Sequence, residues 1–238
     1  MQPPLPSQRR GKGEGFSSRF ICVNPSPQSP LQEERRSGRA IEISAVLLAG
    51  GESRRMGQDK ATLLFRGKPL WQIQLELLRK LKPMEIFVSA RTDPTWRPRD
   101  VLFVADVPPS RGPLSGLTAA LDQIHTSHLL AFAIDMPWMA EKYLKLLCAQ
   151  IEPGRGVLPK IGNRTEPLAA IYPREAAAEF RAALAGSDFS LQTLARGLVK
   201  AGKLREIPVT ARETKFFLNA NEPSDLQVAE VARVDRLL

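Results

Sequence analysis

Four short apolar runs, at 45–49, 86–88, 101–105 and 129–134, end in small or polar residues and alternate with stretches of helical periodicity. Runs of this length without polar interruption read as strands covered on both faces. Between them, Leu70, Trp71, Leu77, Leu78 and Leu81 share one helical face behind Pro69, which suits a first helical turn. Leu114, Leu117, Leu121 and Ile124 share a second face, and Met139, Tyr143, Leu146 and Leu147 a third. Strand, loop and helix in repetition predict an α/β fold: a Rossmann-like three-layer sandwich with a mostly parallel central sheet and right-handed crossovers. Beyond Ile151 the pattern is less regular. Strands are expected near 157–159, 168–172, 204–207 and 216–218, and helices over 174–184 and 191–199.

In an open parallel sheet, ligands bind beyond the carboxyl ends of the strands, so the first polar residues after each apolar run carry the functional information. Here these are Gly50-Gly51, Ser89 to Arg91, Asp106 and Asp135. The first run breaks into Gly50-Gly51-Glu52-Ser53-Arg54-Arg55-Met56-Gly57-Gln58-Asp59-Lys60. Glycines leave backbone N–H groups uncovered, and with Arg55 and Lys60 they make a nest for phosphate oxygens. It is not a Walker loop, because Asp59 precedes Lys60 and Ala61 follows it. Nor do Gly50, Gly51 and Gly57 fall on the dinucleotide spacing. Asp106 and Asp135 close neighbouring runs on the same sheet edge. A carboxylate pair beside a phosphate nest suits Mg²⁺, which takes one or two carboxylates plus substrate phosphates. Asp135 opens Asp135-Met136-Pro137, so a helix cap near Pro137 is its alternative role.

Of the formal charge of +9, residues 1–40 hold +4 and the rest +5, without a basic run or aromatic-interleaved patch. That distribution gives no footprint for nucleic acid. No apolar run approaches the roughly 18 residues of a membrane span. Residues 1–40, with six prolines and many Ser, Gly and Arg, are expected to be a disordered extension, leaving a domain over 41–238. Cys22 and Cys148 form no metal pattern or disulfide framework, which is compatible with the cytoplasm. His125 and His128 lack ligand partners at useful spacing and are expected at the surface or core edge.

The string from Leu47 to Lys60, with leucine, alanine, two glycines, Arg55-Met56-Gly57 and Asp59-Lys60, closely resembles the nucleotide loop of the molybdenum cofactor guanylyltransferase family. Asp106, Arg111-Gly112-Pro113-Leu114-Ser115-Gly116, Asp135-Met136-Pro137 and Asn219-Ala220-Asn221 resemble its later motifs. The resemblance implies nucleotide binding by Leu48, Ala49, Gly50, Gly51, Lys60, Asp106 and Asp135, and catalysis by Arg55, Lys60 and Asp135 with Mg²⁺ on Asp135. It places Asn219 and Asn221 on the acceptor side. GTP and molybdenum-molybdopterin are the implied substrates, in the cytoplasm, with transient contact to cofactor-synthesis or molybdoenzyme proteins. The chain departs from the pattern at Ser89-Ala90-Arg91, where some members have asparagine, and at Glu166, where they have histidine or glutamine. Related cytidylyl enzymes tend to carry alanine at Gly50, and the doubled glycine leaves room for a purine, which favours GTP over CTP. The alternatives are a cytidylyltransferase for the same cofactor and a non-catalytic nucleotide-binding adaptor.

Overall fold

The computed structural model describes residues 42–50, 59–106 and 108–220, together with Met1 and Asp225. The elements run β1 (Ile43–Leu48), β2 (Leu64–Phe65), β3 (Lys68–Pro69), α1 (Leu70–Arg79), β4 (Glu85–Ala90), β5 (Leu102–Ala105), α2 (Pro113–Gln123), β6 (His128–Ala133), α3 (Glu141–Cys148), β7 (Gly156–Ile161), β8 (Arg164–Thr165), β9 (Ile171–Pro173), α4 (Ala177–Ala185), α5 (Leu191–Lys200) and β10 (Leu204–Pro208). Short 3-10 turns lie at Lys60–Thr62, Pro167–Ala169, Arg174–Ala176 and Thr214–Phe217. All belong to one unit, Ala40–Leu238. The extension expected over 1–40 lies outside the described residues, Met1 aside. No helix among the described residues is long and apolar enough to cross a membrane.

The main sheet has the order β10-β7-β9-β6-β1-β4-β5, with β8 paired to β7, while β2 and β3 form a separate hairpin. β1 pairs in parallel with both β4 and β6, and β5 continues in parallel from β4. β9 is antiparallel to β6 and to β7, so the sheet is mixed on that side. All six residues of β1 are buried, which is why its sequence reads as continuous apolar rather than alternating. Its one polar residue, Ser44, donates to Glu85 Oε2 at 2.7 Å and shares a 2.9 Å hydrogen bond with Thr126 Oγ1.

Alternate residues of the central strands feed two cores. Ala45, Leu47, Val88, Leu130 and Phe132 face Leu70, Leu78, Tyr143 and Leu147 of α1 and α3. Val46, Leu48, Phe87, Val104, Leu129 and Ala131 face Leu114, Leu117, Phe180 and Leu198 of α2, α4 and α5. These are the three expected layers, with helices on both faces of the sheet.

Local differences from the expected elements have identifiable causes. Segment 216–218 is not a strand, because Phe216 and Phe217 are both buried and both pack on Tyr143, at 5.7 and 5.3 Å between ring centroids. A strand would send consecutive side chains to opposite faces. Segment 168–172 begins as the 3-10 turn at Pro167, whose carbonyl accepts from the Tyr172 hydroxyl at 2.8 Å, and becomes extended only at Ile171. Pro69 ends β3 and caps α1 instead of lying within it. Leu146 is exposed rather than inward.

The chain passes from β1 to β4 and β5 on one side, then returns through α2 to β6 on the other side of β1. This reversal opens a crevice at the carboxyl edge. The register pairs Leu48 with Ser89 and with Ala133, and Ala90 with Ala105. Continued past the strand ends, it sets Gly50, Asp106 and Asp135 on one row.

Candidate active site

On the α2 side of the crevice the backbone is tied first. The N–H groups of Ala49 and Gly50 both donate to the Ser89 carbonyl, at 2.9 and 3.1 Å, so the chain leaving β1 hooks over the end of β4. Asp106 is buried directly beyond β5, and its own N–H donates to the Ala90 carbonyl at 3.1 Å. Its Oδ1 accepts from Ser89 Oγ at 3.0 Å and its Oδ2 from Ser110 Oγ at 3.1 Å. A Cβ placed on Gly50 would stand 3.4 Å from Asp106 Oδ2. Gly50 therefore lies against Asp106, and a side chain there would meet that carboxylate rather than empty space.

Gly116 of α2 lies still closer, where a Cβ would come within 2.1 Å of Ser89 Oγ. Gly116→Ala is therefore expected to push Ser89 off Asp106 and to destabilise the fold by about 1–3 kcal/mol, the usual range for overpacking. Thermal unfolding measures it. Adding Ser89→Ala, which removes the clashing oxygen, should recover part of the loss.

The loop into α2 shows how the sequence shapes this wall. Gly112 has φ +64°, a left-handed backbone that only glycine takes without strain, and Pro113 follows as the first helical residue. The Arg111 N–H donates to Ser115 Oγ at 2.8 Å, and its guanidinium lies 4.2 Å from the Phe189 ring centroid.

On the other side of the crevice stand Lys60 and Asp135. Lys60 opens the 3-10 turn Lys60–Thr62, capped by Asp59, and its Nζ lies 4.0 Å from Asp135 Oδ2. Asp135 follows β6 and is held through its backbone. The Ile134 N–H donates to the Leu48 carbonyl at 3.2 Å, Gln74 Nε2 to the Ile134 carbonyl at 3.3 Å, and the Ala220 N–H to the Asp135 carbonyl at 2.8 Å. Burial pushes the Asp135 carboxyl above its usual range, and the Lys60 charge opposes that rise. Capping is not its role, since α3 begins only at Glu141, behind Ala140.

The structure thus brings Leu48, Ala49, Gly50, Lys60, Asp106 and Asp135 to one edge. Asn219 is exposed and adjoins Ala220, which contacts Asp135, while Gly51, Arg55 and Asn221 lie outside the described residues. Glu166 is buried, with its carboxyl raised by burial and opposed by Arg164 at 3.4 Å. The histidines lie elsewhere, His128 buried in β6 and exposed His125 paired with Glu85. The reading from sequence missed two supports. Gln74 sits on the apolar stripe of α1, one turn after Leu70, where a fully buried amide was the available signal. Trp96 left no such signal; its indole N–H donates to Asp59 Oδ2 at 3.0 Å.

Among the described residues, no group of three or more His, Cys, Asp or Glu is placed to hold a metal ion. Both oxygens of Asp106 already accept serine hydroxyls. Among the described residues at this edge, Asp135, with a fifth of its side chain exposed and no serine hydroxyl on its oxygens, is the carboxylate better placed for a cation that would draw its remaining ligands from phosphate oxygens and water. Its oxygen chemistry fits Mg²⁺.

Residues 45–202 match the family described as the MobA-like NTP transferase domain. The Opitutus terrae protein named probable molybdenum cofactor guanylyltransferase is 33% identical over 192 residues, covering 79% of this chain and 95% of its own. The molybdenum cofactor guanylyltransferase of Syntrophotalea carbinolica is 30% identical over 190 residues, covering 77% and 89%. Among solved structures, molybdopterin-guanine dinucleotide biosynthesis protein A from Archaeoglobus fulgidus superposes with a TM-score of 0.63 at 26% identity, covering 81% of this chain and 99% of that one.

Proposed function

Since the chain belongs to the MobA-like NTP transferase family, we propose that it transfers GMP from GTP to molybdenum-molybdopterin, forming molybdopterin guanine dinucleotide and releasing pyrophosphate. Nucleotidyl transfer in molybdenum cofactor synthesis comes with the family and its named relatives. The base, the acceptor and the metal are the proposed part, as are a cytoplasmic setting and the assignment of catalysis to residues 41–238. The observation that carries the reading is the approach of Lys60 to Asp135, 4.0 Å apart, at the sheet edge where β1 ends at Leu48, two residues before Gly50.

The physical problem is the meeting of two anions. An acceptor phosphate must approach the α-phosphate in line, and at ~5 Å with an effective dielectric of ~20 each pair of unit charges repels by roughly 3 kcal/mol. Lys60, with the N–H groups of the glycine loop and Arg55, offsets this by holding the triphosphate and the departing pyrophosphate. Asp135 would hold Mg²⁺, whose chemistry there would be to offset the negative charge of the phosphates. The acceptor phosphate already carries a charged oxygen, so no protein nucleophile or strong general base is needed. Asp106, fastened by two serines, supports the loop wall on which the nucleotide rests.

Incubating the chain with molybdenum-loaded molybdopterin, Mg²⁺ and each of the four NTPs, with pyrophosphate release as readout, tests this directly. GTP should be used in preference to CTP by roughly tenfold or more, as a base-reading site discriminates. A preference for CTP would make the chain a cytidylyltransferase. Failure to release pyrophosphate from any of the four NTPs would leave a nucleotide-binding adaptor.

A further inference from the structure

The turn that presents Lys60 is too short to hold its own geometry. It comprises three residues, Lys60–Thr62, and such pieces have strained hydrogen bonds and little cooperativity. What surrounds it is therefore decisive. Asp59, immediately before Lys60, divides its carboxylate between two donors. Oδ1 accepts the Ala61 N–H at 3.0 Å, which closes the turn, and Oδ2 accepts the Trp96 indole N–H at 3.0 Å. The Asp59 carbonyl accepts the Thr62 hydroxyl at 2.8 Å and the Thr62 N–H at 3.0 Å. Ala61 is fully buried below.

Trp96 is itself anchored. It lies in the connection from β4 to β5 and stacks on Trp71 of α1, with ring centroids 5.5 Å apart and planes inclined by 16°. Both rings pack against the core on the α1 face of the sheet. The indole N–H thus reaches Asp59 from a ring held by stacking, far away in sequence.

We propose that Trp96 is a positioning residue for Lys60, acting through the Asp59 carboxylate. The proposal rests on the catalytic reading of Lys60 above. Charge compensation in phosphoryl chemistry depends on placing a cation where negative charge develops, and small displacements of such a group are expensive. Trp96 touches no reacting atom, so its effect must run through Lys60 and disappear when Lys60 is gone.

The experiment is a double-mutant cycle on kcat for pyrophosphate release, using GTP, molybdenum-loaded molybdopterin and Mg²⁺. The chains compared are wild type, Trp96→Phe, Lys60→Ala, their combination, and Asp59→Asn. Trp96→Phe keeps a ring on Trp71 and removes only the N–H. It should lower kcat by about tenfold, the scale of one hydrogen bond to a charged group, while the thermal midpoint stays near wild type and the KM for GTP rises no further than in the Lys60→Ala chain. In the Lys60→Ala background the same change should have no further effect. Asp59→Asn, which can still accept the Ala61 N–H but not the indole, should match Trp96→Phe. An undiminished kcat for Trp96→Phe, a loss that persists in the Lys60→Ala chain, or a loss that follows a fall in thermal midpoint would overturn the proposal. A Lys60→Ala chain with full activity would remove the catalytic reading and the Trp96 proposal with it, an outcome visible without touching Trp96.

Discussion

Asp135→Ala is expected to lower Mg²⁺-dependent nucleotidyl transfer by ~10³-fold or more, because charge stabilisation by a bound metal amounts to several kcal/mol and each ~1.4 kcal/mol is a factor of ten. The fold should survive. The bonds that fix this position run through the Asp135 and Ile134 carbonyls and the Ile134 N–H, none of which the substitution removes. The carboxylate is also one that burial disfavours in its charged form, so its removal relieves a desolvation cost. Pyrophosphate release across a Mg²⁺ titration, beside a thermal melt, separates the two effects. Lost turnover with an unchanged melt is the expected pair, and full activity would falsify the assignment of the metal to Asp135. Asp135→Asn keeps the size of the side chain without its charge and should fall nearly as far.

Lys60→Ala is expected to lower kcat by about 10²–10³-fold, the loss that follows removal of one preorganised group facing developing charge. KM for GTP should rise as well, since Lys60 also holds the ground-state triphosphate, but a transition-state role requires that kcat fall at saturating nucleotide. Lys60→Arg restores charge with a different shape and should recover only part of the rate, because a planar guanidinium on a longer stem cannot occupy the position of an ammonium. An unchanged rate at saturating GTP would confine Lys60 to binding. The two substitutions should also be far from additive, since the side chains stand 4.0 Å apart and, in the proposed function, would act on the same phosphates.

Much of this was legible in the chain. The run at 45–49 announced β1 because a strand buried on both faces has no reason to alternate. Asp106 and Asp135 could be sent to one edge because parallel strands all present their carboxyl ends there, whatever their order. The helix at Pro113 was marked by Gly112 before it, a residue whose backbone freedom the observed φ of +64° uses. Elsewhere local pattern misled. Phe216 and Phe217 have the composition of a strand, yet Tyr143 on a distant helix holds both on one side.

Order along the sheet, and therefore which strand ends become neighbours, was beyond the reach of periodicity. That Asp135 adjoins β1 and Lys60, while Asp106 is tied by Ser89 and Ser110, depends on the return through α2. The sequence alone determined most of the elements, and the sheet edge where Gly50, Asp106 and Asp135 gather, because burial periodicity and turn chemistry are local properties. Only the tertiary structure decided which carboxylate is tied by two serines, which faces the lysine, and which tryptophan reaches the aspartate beside it. Those depend on contacts between residues far apart in the chain, and a hydrogen bond made across such a separation leaves no periodic mark on either partner.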